Sequence, residues 1–307
     1  MQNFPYCPHC CPYPQARPRA IRFAGTFKRA SRTKPIQRYK CGDCGRSFSD
    51  ATFTPEYRQR KRQINHPLYE LMASSVSLRR SARILRVARK TVERRLPYLA
   101  FVANEHHKEF LSSLPPVNHA HFDDMESSIH SKLKPVSIPM VVNHPSRLVL
   151  AFDVVSMPAK GKLAKASVAK YGKRPDHRKK GWATTLSALN ALADQKIQIT
   201  SDSHHMYRDQ IKRYVPQATH EQVMSRRGCV VGQGELKRGG WDPIFSLNHT
   251  AAMFRANVNR MARRTWCTSK KAENLKRHMA IYTLWHNETI LARNNGRKPY
   301  SPFLGLC

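Results

Sequence analysis

Acidic side chains are scarce in this chain: 20 Asp and Glu stand against 54 Lys and Arg over 307 residues, a formal net charge of +34. A folded body so charged repels itself, so the composition asks for a polyanionic partner. Long apolar runs are missing as well. No stretch approaches the ~20 apolar residues that span a bilayer and no amphipathic helix dominates, which sets a membrane aside and leaves nucleic acid as the polyanion. The basic residues are spread along the whole chain, so several parts of it are expected to touch double-stranded DNA. An export-signal pattern is also missing; with 8 Cys, a reducing cytoplasm, in association with the nucleoid, is the expected compartment. Apolar residues are not scarce. They make up 40% of the chain, enough to bury a core, and the length suits two or three compact units.

Two Cys-x-x-Cys pairs lie near the start, Cys7/Cys10 in YCPHCC and Cys41/Cys44 in KCGDCG. Each such turn points two thiolates at one spot, and two turns complete a tetrahedral Zn²⁺ site. Redox pairs or a disulfide framework are the alternatives, but neither pair sits in a βαβ pattern and no export signal accompanies them. Cys11 and His9 are expected to be bystanders to a closed four-thiolate site. Tyr39 and Phe48 should cover the metal on the strands of a small ribbon over residues 1–55, with the run ARPRAIRFAGTFKRASRTKP supplying solvated basic residues. A segment so rich in Pro, Arg and Cys folds around metal or not at all.

From Leu68 to Leu99 the apolar spacing implies three short helices, with a tight turn at ILRVA leading into RKTVERRL. This is the rhythm of a helix-turn-helix over residues 56–105 whose last helix carries Arg89, Lys90, Thr91, Arg94 and Arg95 outward to DNA. A basic helical hairpin with a solvated face is the plainer alternative. From 117 to 295 short apolar runs alternate with helical patterns: three strands, helix, strand, helix, strand, then two amphipathic helices. That order predicts a mixed α/β domain.

Because acids are few, those at strand ends need a reason. Asp123 and Asp124 lie in HFDDMES and Asp202 closes KIQITSD. Carboxylates there can bind a divalent ion, Mg²⁺ or Mn²⁺, as metal-dependent phosphoryl transfer requires. Glu235 in GQGELK is the preferred third acid. Each aspartate alone is more simply a turn or cap residue; Asp153 in LAFDVV is a rival, and His204 and His205 adjoin Asp202. Cys229 and Cys267 are expected in the core.

The segments CPHC with RYKCGDCGRSF, SARILRVARKTVERRL, FDDMES, TSDSHHMY and RMARRTWCTSKKAE, in that order, resemble bacterial insertion-sequence transposases of the first-described insertion-element class. The resemblance covers nearly the whole chain. It implies a zinc ribbon, a helix-turn-helix and a ribonuclease-H-like DDE catalytic domain, with Asp123 as first and Asp202 as second aspartate. Asp124 stands where many relatives have Glu. At the position of the family's catalytic Glu this chain has Asn248, with His249 beside it. Either Glu235 supplies the third carboxylate, the preferred reading, or the enzyme is weak or dead, and the chain is a DNA-binding regulator. A metal nuclease or resolvase for branched DNA would share the acids without needing a sequence reader. The family's mechanism implies cleavage at element ends, attack of the freed 3′-hydroxyl on target DNA, and a homo-oligomer to join two ends.

Overall fold

A computed structural model of the chain describes residues 6–10, 21–28, 34–224, 242–262 and 267–304. Cys11, Cys229, Glu235 and the glycine-rich strand expected around it lie outside the described residues. The chain divides into two compact units, Met1–Pro67 with Pro302–Cys307, and Leu68–Ser301.

The first unit is built on three antiparallel strands, β1 (Ile21–Phe27), β2 (Ile36–Cys41) and β3 (Ser47–Ser49), in that order. β1 runs through the basic stretch expected to be plain solvated chain. It bulges between Phe23 and Thr26, where Gly25 takes φ +79°, a conformation that favours glycine, and Gln37 Nε2 donates to Gly25 O at 2.9 Å. Tyr39 stacks on Phe48 with ring centroids 5.4 Å apart, and its hydroxyl donates to Asp50 Oδ1 at 2.8 Å.

The second unit has one mixed sheet in the order β6-β5-β4-β8-β9. The strands are β4 (Val117–Ser128), β5 (Pro135–Asn143), β6 (Val149–Phe152), the two-residue β7 (Val155–Ser156) paired to β5, β8 (Ala193–Asp202) and β9 (Thr219–Val223). β5 runs antiparallel to both its neighbours, β4 and β6, whereas β4, β8 and β9 are parallel. Helices cover both faces, which is why β5 reads as the nearly unbroken apolar run VSIPMVV. On one face Phe122, Val141 and Ile199 pack under α5 (Arg178–Asn190) and α6 (Tyr207–Tyr214) through Trp182, Leu186 and Ile211. On the other, Val136, Ile138, Met140 and Val142 pack under α7 (Phe245–Asn257) and α8 (Ala272–Asn294) through Phe254, Leu275 and Met279. Asn287 of α8 closes the backbone of Val149 on the edge strand, accepting from its N–H at 2.9 Å and donating to its carbonyl at 3.0 Å.

The three helices ahead of the sheet are α1 (Asn65–Ala73), α2 (Leu78–Ile84) and α3 (Arg89–Ser112). Ser77 caps α2 by accepting from Arg80 N at 3.3 Å, and a four-residue turn, 85–88, leads into α3. The third helix is not short. It continues through residue 105 to Ser112, past Pro97, because Leu96, Leu99, Ala100 and Ala103 keep presenting a buried face. His278 of α8 donates to Met72 O at 2.9 Å and Tyr69 meets Trp285 with ring centroids 5.6 Å apart, so α1 docks on the long C-terminal helix. Within the basic insert between β7 and α5 lies a further helix, α4 (Leu163–Tyr171).

Candidate active site and cysteine cluster

The parallel pairing of β4 and β8 runs in register up to Phe122 opposite Ser201. The next residues on the two neighbouring strands are Asp123 and Asp202. Their chemistry follows from place: burial first, then the negative charge of Asp202, pushes the Asp123 carboxyl up to about 7. Tyr207, whose ring packs on Phe122 at 4.9 Å, donates its hydroxyl to Asp123 Oδ1 at 3.1 Å, and the Asp124 N–H donates to the same oxygen at 2.6 Å. Asp202 Oδ1 accepts from the His204 N–H at 3.1 Å.

Asp124 is differently placed. Both its oxygens accept from the indole N–H of Trp182, at 2.8 and 2.9 Å, and Oδ2 also accepts from Ser137 Oγ at 2.8 Å. Burial still raises it to about 6, against the pull of those donors and of Arg178. Asp153, the rival, is committed elsewhere: Oδ1 accepts from Lys276 Nζ and from the Val154 N–H, both at 2.7 Å. The structure thus brings Asp123 and Asp202 together and turns Asp124 and Asp153 to structural bonds.

Three histidines occupy the same neighbourhood. His119 and His121 alternate with Asp123 along β4, and both lie against His144 with ring centroids 4.6 Å apart. Burial, with His144 and His119 beside it, drives the His121 imidazole down to about 4, so it is neutral at pH 7. His119 bonds Thr200 Oγ1 and His144 bonds Ser246 Oγ, each at 3.0 Å. The residues HAHFD carried this alternation in plain view; Trp182, Tyr207 and Ser137 come from distant segments and left no local signal.

Asn248 lies exposed in the first turn of α7 and donates Nδ2 to Asp242 Oδ2 at 2.9 Å; Asp242 Oδ1 accepts from the Ile244 N–H at 3.2 Å. The charge of Asp242 opposes the fall at His121 without reversing it. Asp242 was not among the expected acids. No group of three acids close enough to share an ion occurs among the described residues.

In the first unit Cys7, Cys10, Cys41 and Cys44 bring their sulfurs within 4.8 Å of one another. Cys7 Sγ lies 3.6 Å from Cys44 Sγ and Cys10 Sγ 3.6 Å from Cys41 Sγ, near the ~3.8 Å edge of a tetrahedron with Zn–S bonds of about 2.3 Å. The second turn is closed by Gly45 at φ +68°, with Gly45 N donating to Cys41 O at 3.0 Å. Backbone N–H groups of Cys44 and then Asp43 draw the Cys41 thiol down to about 7, while the hydrogen bond with Cys7 and burial push Cys10 up and Cys44 is raised as well, so that without a metal the four sulfurs share protons unevenly. His9 offers no ligand to the cluster.

The basic helix needs two corrections. Arg89, Lys90 and Arg94 are exposed, and Arg89 Nε is paired to Glu93 at 2.6 Å, but Arg95 is buried and Thr91 half-buried. Arg95 shares the inward phase of Val92, Leu96 and Leu99, so it cannot read DNA from the outer face. Cys267 is exposed, not in the core. No helix among the described residues is long and apolar enough to cross a membrane. No protein-family model matches the chain, and no curated protein matches it.

Proposed function

We propose that this chain is a DNA transposase of the DDE type, its sheet the ribonuclease-H-like core and its cysteine cluster a structural zinc ribbon. The observation that carries the reading is the parallel β4/β8 register, which sets Asp123, midway along β4, beside Asp202 at the end of β8. The sheet order, three antiparallel strands followed by two parallel ones, supports the fold. A carboxyl raised to about 7 by burial and a like charge gains most from a cation, which fits a hard divalent ion. Asp123 and Asp202 would hold Mg²⁺ or Mn²⁺. When bound, the ion supplies an activated water or 3′-hydroxyl and neutralises charge developing on the phosphoryl oxygens. Tyr207 fixes the Asp123 rotamer through its hydrogen bond, Trp182 and Ser137 hold Asp124 off the ion, and the neutral His121 adds no competing charge. Arg89, Lys90 and Arg94 at the start of α3 would contact the element ends, and two chains would pair to join them. A soluble protein of the cytoplasm, associated with the nucleoid, is the setting this activity needs.

Asn248 favours a second reading, a DNA-binding regulator that has lost catalysis. The experiment is incubation of the full-length protein with Mg²⁺ or Mn²⁺ and DNA carrying the sequences that flank its gene. Cleavage at the element ends, lost in Asp123→Asn and Asp202→Asn with DNA binding retained, is the expected result. Sequence-selective binding without cleavage under either ion would leave the regulator.

A further inference from the structure

Past Asp124 the β4/β5 hairpin runs on to Ser128, and a cavity of about 980 Å³ opens at its end against the start of α4 and the turn 259–261. Its floor is apolar. Met157 and Met261 are buried there, Pro135 lies beside them, and Leu163 is left 42% exposed. Its rim is basic, with Lys132, Lys160 and Lys270 exposed and Arg260 half-buried. Glu126, the acid of the lining, is neutralised by Lys160 at 2.7 Å. Ser131 and Thr268 add hydroxyls.

A duplex backbone asks only for a cationic surface. It has no use for a floor of methionine and leucine set below that surface. An unpaired nucleotide needs both, because its base has two apolar faces and its phosphates are charged. Glu126 is three residues beyond Asp123 on the same strand, about 10 Å at the rise of a β-strand. A DNA strand bound at the acid pair therefore reaches this cavity within a few nucleotides.

We propose that the cavity between the β4/β5 hairpin and α4 binds unpaired nucleotides of the DNA strand adjoining the acid pair, bases against Leu163 and Pro135, which the buried Met157 and Met261 back, and phosphates on Lys132 and Lys270. The inference rests on the reading of Asp123 and Asp202 as a DNA-processing pair. Its test needs no chemistry, so the two fail separately.

The affinity of the full-length protein is measured in EDTA for a fluorescein-labelled blunt duplex and for the same duplex with a short single-stranded 3′ extension. The extended duplex is expected to bind roughly fivefold tighter. Leu163→Ser should remove that advantage and leave the blunt duplex unchanged; Lys132→Ala with Lys270→Ala should remove it as well, with a smaller loss for the blunt duplex from fewer phosphate contacts. Equal affinity for both DNAs in the unmutated protein overturns the proposal, as does an advantage that survives both variants. Tighter binding when the extension is RNA overturns the assignment to DNA. Loss of metal-dependent cleavage in Asp123→Asn bears only on the acid pair.

Discussion

Trp182 donates its indole N–H to both carboxylate oxygens of Asp124, at 2.8 and 2.9 Å. This contact separates two aspartates that are neighbours in sequence. Asp124, held also by Ser137, is a structural acceptor joining α5 to the sheet, while Asp123 faces Asp202 across the strand pair. Trp182→Phe keeps most of the volume and removes the donor. The loss should be about 1–3 kcal/mol near pH 8, where a buried carboxylate is left short of a partner. It should be smaller near pH 5, below the value of about 6 at which folded Asp124 ionises. Urea unfolding at both values separates the hydrogen bond from the lost packing, since the cavity costs the same at either pH; equal losses would show that the bond contributes nothing.

Gly181 is what lets Trp182 come so close. A Cβ on Gly181 would lie 3.0 Å from Pro139 Cγ and 3.0 and 3.1 Å from the two methyl carbons of Val155. Alanine gains helix propensity of roughly 1 kcal/mol over glycine, yet here it would press three atoms of a packed layer at once. Overpacking of this kind costs about 1–3 kcal/mol, so Gly181→Ala should be neutral to destabilising and should weaken the Trp182 to Asp124 bond. A clear rise in melting temperature would show that α5 can move off β5 freely.

Asp123 sets a pH dependence of the opposite sense from a salt-bridged acid. Its folded value of about 7 lies above the ordinary 3.8, so between those pH values the unfolded chain gives up a proton that the folded one keeps. Stability of the metal-free protein therefore falls as pH rises through that window and levels off above it. Asp123→Asn should raise metal-free stability at pH 7.5 by about 1–2 kcal/mol and abolish the stabilisation that Mg²⁺ or Mn²⁺ gives the unmutated protein. Thermal melts with and without the ion check both halves. A variant less stable than the parent at pH 7.5 would mean that the carboxylate is not strained.

How far these features could be read beforehand depended on whether the partner was local. The strands β4, β5 and β8 were legible because alternation and short apolar runs mark them, and HAHFDDM carries Asp123 on the same alternation as His119 and His121. β1 was not, since five of its seven residues are exposed and Phe23 leaves no burial pattern. The length of α3 was hidden by Pro97 and by the distance to α8, which no local period reveals. Arg95 is buried against the expectation for a charged residue, because the helical phase it shares with Val92, Leu96 and Leu99 turns it inward. Asp153 could be told from a site acid only once Lys276, far along the chain, was found beside it.

The cysteine cluster predicts about one zinc ion per chain. The four sulfurs lie too far apart for disulfides, which need about 2.05 Å, and at the spacing a tetrahedral ion imposes. Cys41→Ser, or prolonged chelation, should release the metal and open residues 6–67 to protease while 68–301 stays resistant, because the small core of Tyr39, Phe48 and Ile36 cannot hold a sheet of three short strands alone. Metal analysis and mapped proteolysis decide it. A metal-free protein equally resistant in both units would mean that the cluster is not a zinc site.

The last prediction concerns the third acid. Two carboxylates hold one ion, and a further oxygen ligand is wanted to place a second beside the leaving group. On the transposase reading proposed above, Asn248 would stand where the third acid is wanted, but its amide is spent on Asp242 Oδ2 at 2.9 Å, and a neutral side chain is a weak ligand for a hard ion. That hydrogen bond fixes Asp242 just ahead of α7, where it does not group closely enough with Asp123 and Asp202 to share an ion without a shift of the helix start, whereas Glu235 lies outside the described residues. Asp242→Asn and Glu235→Gln therefore separate two sources for one ligand. If Asp242 supplies it, Asp242→Asn abolishes cleavage with DNA binding intact, Asn248→Ala lowers the rate about tenfold by releasing its orientation, and Asn248→Asp partly substitutes for the lost acid in the Asp242→Asn background. If Glu235 supplies it, Glu235→Gln is inactive and both changes at 242 and 248 are mild. Rates of end cleavage in Mn²⁺ rank the variants, and equal activity in all of them would place the third ligand on neither acid.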